Sequence, residues 1–505
     1  MRGRIRQLAS DTAVYGVSSI VGRLVNFLLF PLYSHVFLPD AYGPIIVLYA
    51  AFVFLNIVYQ HGMESAYLKF ASDEEVSGDG RHGGRSAAFT TAVLSVGGVM
   101  LVCTVLMLAF RSPFAALIGL DTRHLHLLGW AAAILALDAL AIVPFADLRL
   151  RNRPWTFAGV RLANIAVNVG LNLWLLLGLD MGVEAILMAN AAASAVTVLL
   201  LVPVMTHRMA ARTDRALWRK MLAFGLPFVP GGLGYALTER INIFFLERMD
   251  ASRVIELYGD RFTDPGLAQR AAELGPGVYT EYVVGTYGGM IKLAVLMALF
   301  VQMFRYAWQP FFLQRRRDDD APELFGKVFF LLTWMLGAVL LAVSFLADNI
   351  VSLPLPGDRY LIGPAYWMGL SIIPVALLGY FFQGWYYHFS AGAYIRERTR
   401  WFLHATLAGS AVAVAVNALF VPMYGMMAAA AGTAAAYATM ALVLLWLVRP
   451  VYPVPYAWGR VLVLLAVGVG VFAVWTFVPG ADGLLPELGM VTVYAVVGGV
   501  LARRA

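Results

Sequence analysis

Positively charged side chains interrupt stretches of the chain that are otherwise apolar. They stand at Arg23, Arg161, Arg240 and Lys292, and Asn26 follows Arg23 by about one helical turn. The planar fork of arginine can bond two oxygens of a phosphate, and lysine offers a compact charge to the same kind of ligand. A charge at the centre of a membrane costs ~2.5–3.5 kcal/mol on insertion scales, so such a residue is by default a functional candidate. These residues predict a cationic site that binds a pyrophosphate; the alternative is that they pair with acidic residues for structural reasons.

A second polar pattern repeats at helical spacing. Arg161 is followed by Asn164, Asn168 and Asn172, at steps of three, four and four residues. Side chains at this spacing share one face of a helix, which must therefore meet water or protein. The face can line a site, or its amides can join neighbouring helices.

Three acidic residues also fall within the apolar stretches, at Glu64, Asp138 and Glu239. A buried carboxylate in a membrane can bind a coupling proton or Na⁺. It can equally pair with a cation for structural reasons, for instance Asp138 with Arg161 or Glu64 with Arg240. Both interpretations are kept.

Motifs typical of enzymes are missing from the sequence. It has no Gly-x-x-x-x-Gly-Lys-[Ser/Thr] phosphate loop, no His-Glu-x-x-His and no Gly-x-Ser-x-Gly, and Cys103 is the single cysteine. We therefore expect no ATPase, metalloenzyme or hydrolase, and no cofactor or metal beyond a possible coupling Na⁺ or proton.

The composition indicates a membrane protein. Of the 505 residues 61% are apolar and 13% charged, and the mean hydropathy is +0.74, whereas soluble domains are about a quarter charged. Apolar runs long enough to cross a bilayer need about 20 residues. We predict an all-α protein with about fourteen transmembrane helices, at 12–36, 42–68, 87–110, 125–148, 154–179, 182–206, 219–246, 278–312, 324–347, 360–391, 401–421, 424–448, 459–478 and 484–502.

The net charge of +7 follows the predicted topology. Of the 37 Lys and Arg residues, 25 fall at the termini and in the even-to-odd connections, 7 in the opposite loops and 5 within spans. Positively charged loops stay on the cytoplasmic side, so both termini are predicted to be cytoplasmic. The positive net charge is therefore explained by the topology, and we expect no nucleic-acid partner.

The two halves of the chain resemble each other. Asn172 in the fifth helix has a counterpart in Asn417 of the eleventh, and Arg23 and Asn26 are echoed by Arg240 and Asn242. Two lobes of six helices each enter from the same side, a plan that places a transport site between them, walled by helices 1, 2, 7 and 8. We predict lobes at 1–218 and 219–450, followed by two extra helices at 451–505. An external insertion at 247–277 forms either short amphipathic helices over the cavity mouth or a solvated loop.

The chain resembles the polysaccharide biosynthesis and O-antigen flippase family, within the multidrug/oligosaccharidyl-lipid/polysaccharide exporter superfamily. The matching stretches are TAVYGVSSIVG at 12–22, FPLY at 30–33, LPDAYG at 38–43, HGMESAYLKF at 61–70, FGLP at 224–227, AWQPF at 307–311 and the segment 417–425. They extend over nearly the whole chain. Two features differ from the family pattern: Glu239-Arg240 replaces an Asp-Arg pair, and the insertion is unusually long.

The resemblance implies a V-shaped, MATE-like carrier in the bacterial cytoplasmic membrane. Its expected substrate is an undecaprenyl-pyrophosphate-linked oligosaccharide for O-antigen, capsule or exopolysaccharide, moved by alternating access. The expected partners are this lipid-linked oligosaccharide, membrane lipids, and polysaccharide polymerase and export machinery.

Two other function classes stay open on the sequence. A cation-coupled multidrug antiporter of the same fold predicts acidic residues in the cleft, whereas the charges within spans are mostly basic. A membrane-embedded glycan polymerase or ligase needs catalytic Arg or His in a large external loop. The insertion has four Arg and no His.

Overall fold

The protein is almost entirely helical. The computed structural model describes residues 22, 24, 25, 27–77, 86–210, 214–357, 359–480 and 483–503. The helices are α1 (Phe27–Val36), α2 (Pro39–Gln60), α3 (Met63–Ser77), α4 (Ala87–Ala109), α5 (Arg111–Ile118), α6 (Leu127–Leu150), α7 (Pro154–Leu173), α8 (Glu184–Arg208), α9 (Arg215–Gly225), α10 (Phe228–Glu247), α11 (Ala251–Tyr258), α12 (Leu267–Leu274), α13 (Gly277–Met290), α14 (Val295–Arg315), α15 (Ala321–Phe345), α16 (Ala347–Val351), α17 (Ile373–Ile395), α18 (Arg400–Tyr424), α19 (Met426–Val448), α20 (Trp458–Phe477) and α21 (Leu484–Arg503). Two short strands, β1 (Pro354–Leu355) and β2 (Arg359–Tyr360), pair antiparallel.

Thirteen stretches in the described residues are long and apolar enough to cross a membrane. They correspond in order to the predicted spans from 42–68 to 484–502. The first predicted span, 12–36, lies mostly outside the described residues, where only the shorter apolar helix α1 represents it. The prediction of an all-α, multi-pass membrane protein is confirmed.

Contacts within the chain define two compact units. The N unit comprises residues up to Leu29 together with Pro44–Ala236, and the C unit comprises Phe30–Gly43 together with Leu237–Ala505. Two features distinguish this division from the lobes predicted at 1–218, 219–450 and 451–505. The segment Phe30–Gly43 packs with the later part of the chain, and residues 451–505 belong to the C unit.

The two asparagines that suggested a repeat have the same local structure. Asn172 in α7 and Asn417 in α18 are both fully buried. Each donates a hydrogen bond from its side-chain amide to the carbonyl one turn earlier, at 2.8 Å to Asn168 and 2.7 Å to Ala413. The amide nitrogen of each is thus bonded within its own helix, whereas Oδ1 of the buried Asn417 has no hydrogen-bond partner among the described residues.

The last helix packs on α15 through glycines. A Cβ at Gly337 of α15 would lie 1.9 Å from the Tyr494 hydroxyl of α21, and one at Gly498 of α21 would lie 2.2 Å from the Trp334 ring of α15. The large side chain of one helix therefore fills the space left by glycine on the other. This fit explains why α21 belongs to the C unit although it lies outside the predicted repeat.

Candidate functional site

The eighth predicted span is broken where the site forms. The sequence predicts one helix over 278–312, but α13 ends at Met290, the residues Ile291–Ala294 form a 3₁₀ turn, and α14 begins at Val295. Lys292 lies in this turn. Transporters commonly bind their ligands where a membrane helix is interrupted, because the break frees polar groups inside the membrane.

Three aromatic rings surround the ammonium group of Lys292. Its Nζ donates a hydrogen bond to the Tyr42 hydroxyl at 2.5 Å. The same nitrogen lies 4.9 Å from the ring centroid of Phe30, 5.1 Å from that of Tyr42 and 5.7 Å from that of Tyr33. A cation this close to ring faces is stabilised by about 0.5–2 kcal/mol. The cage therefore holds the charge in place, and the bond to Tyr42 uses one of the three N–H donors of the ammonium.

The cage exists because the segment Phe30–Gly43 packs tightly on α13. A Cβ at Gly285 would lie 1.8 Å from the carbonyl oxygen of Pro39, and one at Gly43 would lie 2.3 Å from that of Glu281. Only glycine permits backbones to approach this closely within a membrane. Gly289, one turn further along α13, leaves room for the ring of Phe30.

A second cation lies near the cage. The charges of Arg240, on α10, and of Lys292 are close enough to repel each other. Glu239 and Arg240 both act electrostatically on the buried Tyr287, whose hydroxyl accepts a hydrogen bond from Asn242 at 2.6 Å. Among the described residues, neither Arg240 nor Lys292 forms an ion pair with a carboxylate. In the described part of the C unit, these two neighbouring positive charges thus have no carboxylate partner.

The insertion at 247–277 is attached to the segment that carries the cage. Its helices α11 and α12 are amphipathic, with Val254, Tyr258, Leu267 and Ala271 buried. Arg270 donates from Nε and Nη2 to the two carboxylate oxygens of Asp40, at 2.8 and 3.0 Å, and also pairs with Asp264. Asp40 precedes Tyr42 by two residues. The insertion thus forms the short amphipathic helices that were one of its two expected forms, and its buried residues pack within the C unit.

Helix α11, at the other end of the insertion, contacts the turn between α18 and α19 of the C unit. The backbone N–H of Met426 donates to the Tyr258 hydroxyl at 2.8 Å, and Arg253 donates to the carbonyl of Pro422 at 2.9 Å. These contacts satisfy backbone groups at the end of α18 and the start of α19, where the helical ladder leaves them without partners. The insertion therefore joins two separate parts of the C unit.

A separate charged cluster forms in the N unit. Glu64 forms an ion pair with Arg149, and Asp138 accepts a hydrogen bond from Ser194 at 2.7 Å. The guanidinium of Arg161 lies 4.6 Å from the ring centroid of Phe145. It also interacts electrostatically with Asp138, Arg149 and Glu64. Three predicted site residues thus lie near one another. Arg149, the residue after the predicted span 125–148, is the partner of Glu64.

Part of the asparagine stripe serves helix packing. Asn164 donates to the hydroxyl of Thr197 on α8 at 2.9 Å, and Asn172 donates to Asn168. These contacts match the structural interpretation of the stripe. Arg161 is the one member of the stripe whose side chain is exposed.

Two predicted site residues, Arg23 and Asn26, lie outside the described residues. Phe30, Tyr33 and Tyr42 were not among the predicted site residues. Their stretches, FPLY and LPDAYG, did appear in the family resemblance, which was the available signal.

Thirteen candidate spans and a broken helix that holds a caged lysine give this chain the architecture of a multi-pass membrane transporter. The solved structures agree with this fold. A structure described as "Lipid II flippase MurJ, inward closed conformation" is 12% identical, with a TM-score of 0.66 over 97% of this chain and 98% of that one. An inward-facing multidrug resistance MATE family transporter of the MOP superfamily is 14% identical, with a TM-score of 0.56 over 85% and 94%. A MOP superfamily transporter from Pyrococcus furiosus is 15% identical, with a TM-score of 0.51 over 87% and 95%.

The family is shown by the sequence itself. A family model described as polysaccharide biosynthesis protein matches residues 8–315, more than half of the chain. The chain belongs to this family, whose fold is that of membrane flippases and transporters. Among curated proteins, no sequence matches it.

Proposed function

We propose that the protein is a flippase that moves undecaprenyl-pyrophosphate-linked oligosaccharide from the cytoplasmic to the outer face of the bacterial cytoplasmic membrane. The transport supplies polysaccharide biosynthesis and proceeds by alternating access, with both termini in the cytoplasm. Membership in the polysaccharide biosynthesis family supports the class of substrate.

The observation that carries the proposal is the pair of cations in the C unit. Lys292 and Arg240 repel each other, and no described carboxylate pairs with either. Two unneutralised charges within membrane spans are costly unless a ligand supplies the opposite charge. A pyrophosphate does so with several oxygens, of which Arg240 can bond two at once while Lys292 bonds another. Arg23 and Arg161 are further residues that we propose to bind the substrate.

The aromatic cage fixes the cation that is proposed to hold the phosphate. Phe30, Tyr42 and Tyr33 are buried, and their rings lie around the ammonium of Lys292. A cation held in this way is already in position when an anionic ligand arrives, so less order has to be imposed on binding.

The membrane potential can drive this transport without ATP. A negative charge that leaves a negative cytoplasm gains roughly 2.3 kcal/mol per 100 mV. A pyrophosphate carries more than one such charge, so the gain is sufficient to bias the direction. Glu64, Asp138 and Glu239 are the residues proposed for any coupling to Na⁺ or protons.

The test is a transport assay in proteoliposomes with a fluorescent lipid-pyrophosphate-linked sugar. We expect the wild-type chain to translocate it, and Arg23→Ala, Arg240→Ala and Lys292→Ala to insert normally but fail. Lys327→Ala serves as the matched control, because it removes an exposed lysine of α15 from the same unit. Lys292→Arg keeps the charge and should retain part of the activity.

Two outcomes would contradict the proposal. If Lys327→Ala lost as much activity as Lys292→Ala, the loss would reflect a general effect of lysine removal. If the wild type moved no lipid-linked sugar but exchanged organic cations for Na⁺ or protons, the chain would be a cation-coupled multidrug antiporter of the same fold.

A further inference from the structure

The N unit contains a cavity that is separate from both charged clusters described above. It has a volume of about 770 Å³ and lies between the end of α2, the first half of α4 and the short helix α9. Its lining on α4 extends from Thr91 to Val99. At 1.5 Å per residue, this stretch of helix is about 12 Å long.

Part of the cavity lining is apolar and exposed. It includes Val58 from α2, Leu94 from α4 and Leu226 after α9. These side chains are 39%, 53% and 49% exposed, respectively, although α2 and α4 belong to membrane spans. Apolar surface left uncovered on a membrane span is covered by lipid chains. The cavity therefore accepts hydrocarbon.

One wall of the cavity is polar and ordered. The indole N–H of Trp218 donates to the Ser95 hydroxyl at 3.1 Å, and this hydroxyl bonds Nε2 of His61 at 3.0 Å. Because Nδ1 of His61 bonds the carbonyl of Tyr59 at 3.0 Å, Nδ1 carries the proton, and Nε2 of the neutral ring accepts from Ser95. This chain of bonds fixes α9 against α2 and α4 and gives the cavity a constant shape.

A polar group on the cavity lining lacks a partner. Thr91 is 3% exposed, and its hydroxyl oxygen is buried without a hydrogen bond among the described residues. An unsatisfied buried hydroxyl costs about 1–3 kcal/mol, so a ligand that supplies a bond here gains affinity. Thr91 lies near the start of α4, where the backbone N–H of Ala210, four residues before Asp214, donates to the hydroxyl of the neighbouring Thr90 at 2.7 Å.

The charge around the start of α9 is mainly positive. Arg215 lines the cavity, and the exposed Arg219 and Lys220 follow on α9, whereas Asp214 is engaged as the cap of α9, accepting from the N–H of Ala216 at 2.7 Å. Basic residues at the cytoplasmic surface attract anionic lipids, with about 1 kcal/mol for each. Trp218 beside them is typical of the membrane interface.

We propose that this cavity binds one acidic phospholipid of the cytoplasmic leaflet. Its phosphate contacts Arg215 and the Thr91 hydroxyl, and an acyl chain lies along Leu94, Gly98 and Leu226. The site depends on the N unit alone and does not involve Arg240 or Lys292, so it stands independently of the proposed transport substrate.

The experiment uses the full-length protein in vesicles of phosphatidylcholine that contain phosphatidylglycerol. A phosphatidylglycerol probe with a photoreactive group on its acyl chain is cross-linked, and the labelled peptides are identified by mass spectrometry. We expect labelling within α4 and α9. Gly98→Leu should lower it, because nothing lies within 4 Å of a Cβ at Gly98, and the larger side chain then occupies part of the proposed path of the acyl chain.

The chain offers a matched control for each variant. Gly97 is the preceding residue in α4, its Cβ position is equally open, and it does not line the cavity, so Gly97→Leu should leave labelling unchanged. Arg215→Gln should lower labelling about fivefold, and Arg219→Gln much less, since Arg215 lines the cavity and Arg219 does not. Arg215 is exposed, so its replacement tests the site even if Gly98→Leu fails to fold.

Three results would overturn the proposal. Equal labelling in Gly97→Leu and Gly98→Leu would mean that the probe reports only lipid around the protein. Equal labelling by a phosphatidylcholine probe would remove the preference for an acidic headgroup. Displacement of the probe by a polyprenyl phosphate at lower concentration than by phosphatidylglycerol would assign the cavity to the tail of the transported lipid.

Discussion

The contact between Arg270 and Asp40 gives the sharpest test of how the insertion acts. The change is Arg270→Gln, which removes the charge and the two-pronged bond to the Asp40 carboxylate. The Asp40 side chain is 9% exposed and that of Arg270 26% exposed, so the variant leaves a largely buried carboxylate without its main partner.

The expected loss follows from this burial. Breaking a fully buried pair costs about 3–5 kcal/mol, and breaking an exposed pair about 0–1 kcal/mol. With one partner nearly buried and the other a quarter exposed, we expect about 2–3 kcal/mol. At 1.36 kcal/mol per factor of ten, the local opening of α12 should become roughly 30- to 160-fold more frequent.

Amide hydrogen exchange of the purified protein measures this opening directly. Exchange should rise in α12, whereas α11, which is held by Tyr258 and Arg253, should change less. Arg261→Gln is the control, since Arg261 is an exposed arginine of the same insertion. In Asp40→Asn the same amides should also exchange faster. Adding this change to Arg270→Gln should have little further effect, because Arg270→Gln already removes the pair with Asp40 together with that to Asp264.

Unchanged exchange in α12 would refute the reasoning, and so would an equal effect of Arg261→Gln. Either result would mean that apolar burial of Leu267 and Ala271 is sufficient to hold the insertion. If the reasoning is correct, Arg270→Gln should also slow transport, since Asp40 precedes the Lys292 ligand Tyr42 by two residues.

Three further predictions concern single side chains. Gly285→Ala should lower the melting temperature strongly, because its Cβ would meet the Pro39 carbonyl at 1.8 Å. The control Gly170→Ala, in an open position, should leave the melting temperature unchanged or raise it. Equal effects of the two variants would mean that α13 shifts freely. Asp147→Asn should destabilise the chain by about 3–5 kcal/mol in denaturant unfolding, because it removes the negative charge that pairs with the buried Arg208. A loss below about 1 kcal/mol would show that other groups stabilise the Arg208 charge. Tyr42→Phe keeps the ring but removes the hydroxyl that bonds Lys292. Transport in proteoliposomes should therefore fall while membrane insertion stays normal. If the variant transported at the wild-type rate, the rings alone would be sufficient for the cage.

The sequence by itself determined the class of protein and the order of thirteen of its fourteen predicted apolar spans. A run of about 20 apolar residues crosses a bilayer because the backbone must bond internally there, and this requirement is local. For the same reason the sequence identified Lys292 and Arg240 as unusual, since a charge within such a run is visible without any knowledge of packing. The amphipathic helices of the insertion also follow from local periodicity.

Only the tertiary structure decided what surrounds those charges. The bond from Lys292 to Tyr42 joins residues 250 positions apart, and the ion pair of Glu64 with Arg149 joins residues 85 apart. The break at Ile291–Ala294 was also invisible, because Ile, Lys, Leu and Ala all form helices readily. Such features depend on how backbones approach at Gly43 and Gly285, which places Tyr42 beside Lys292. Local spacing records which side chains share a helix face, whereas contacts between distant segments depend on packing that no local pattern encodes.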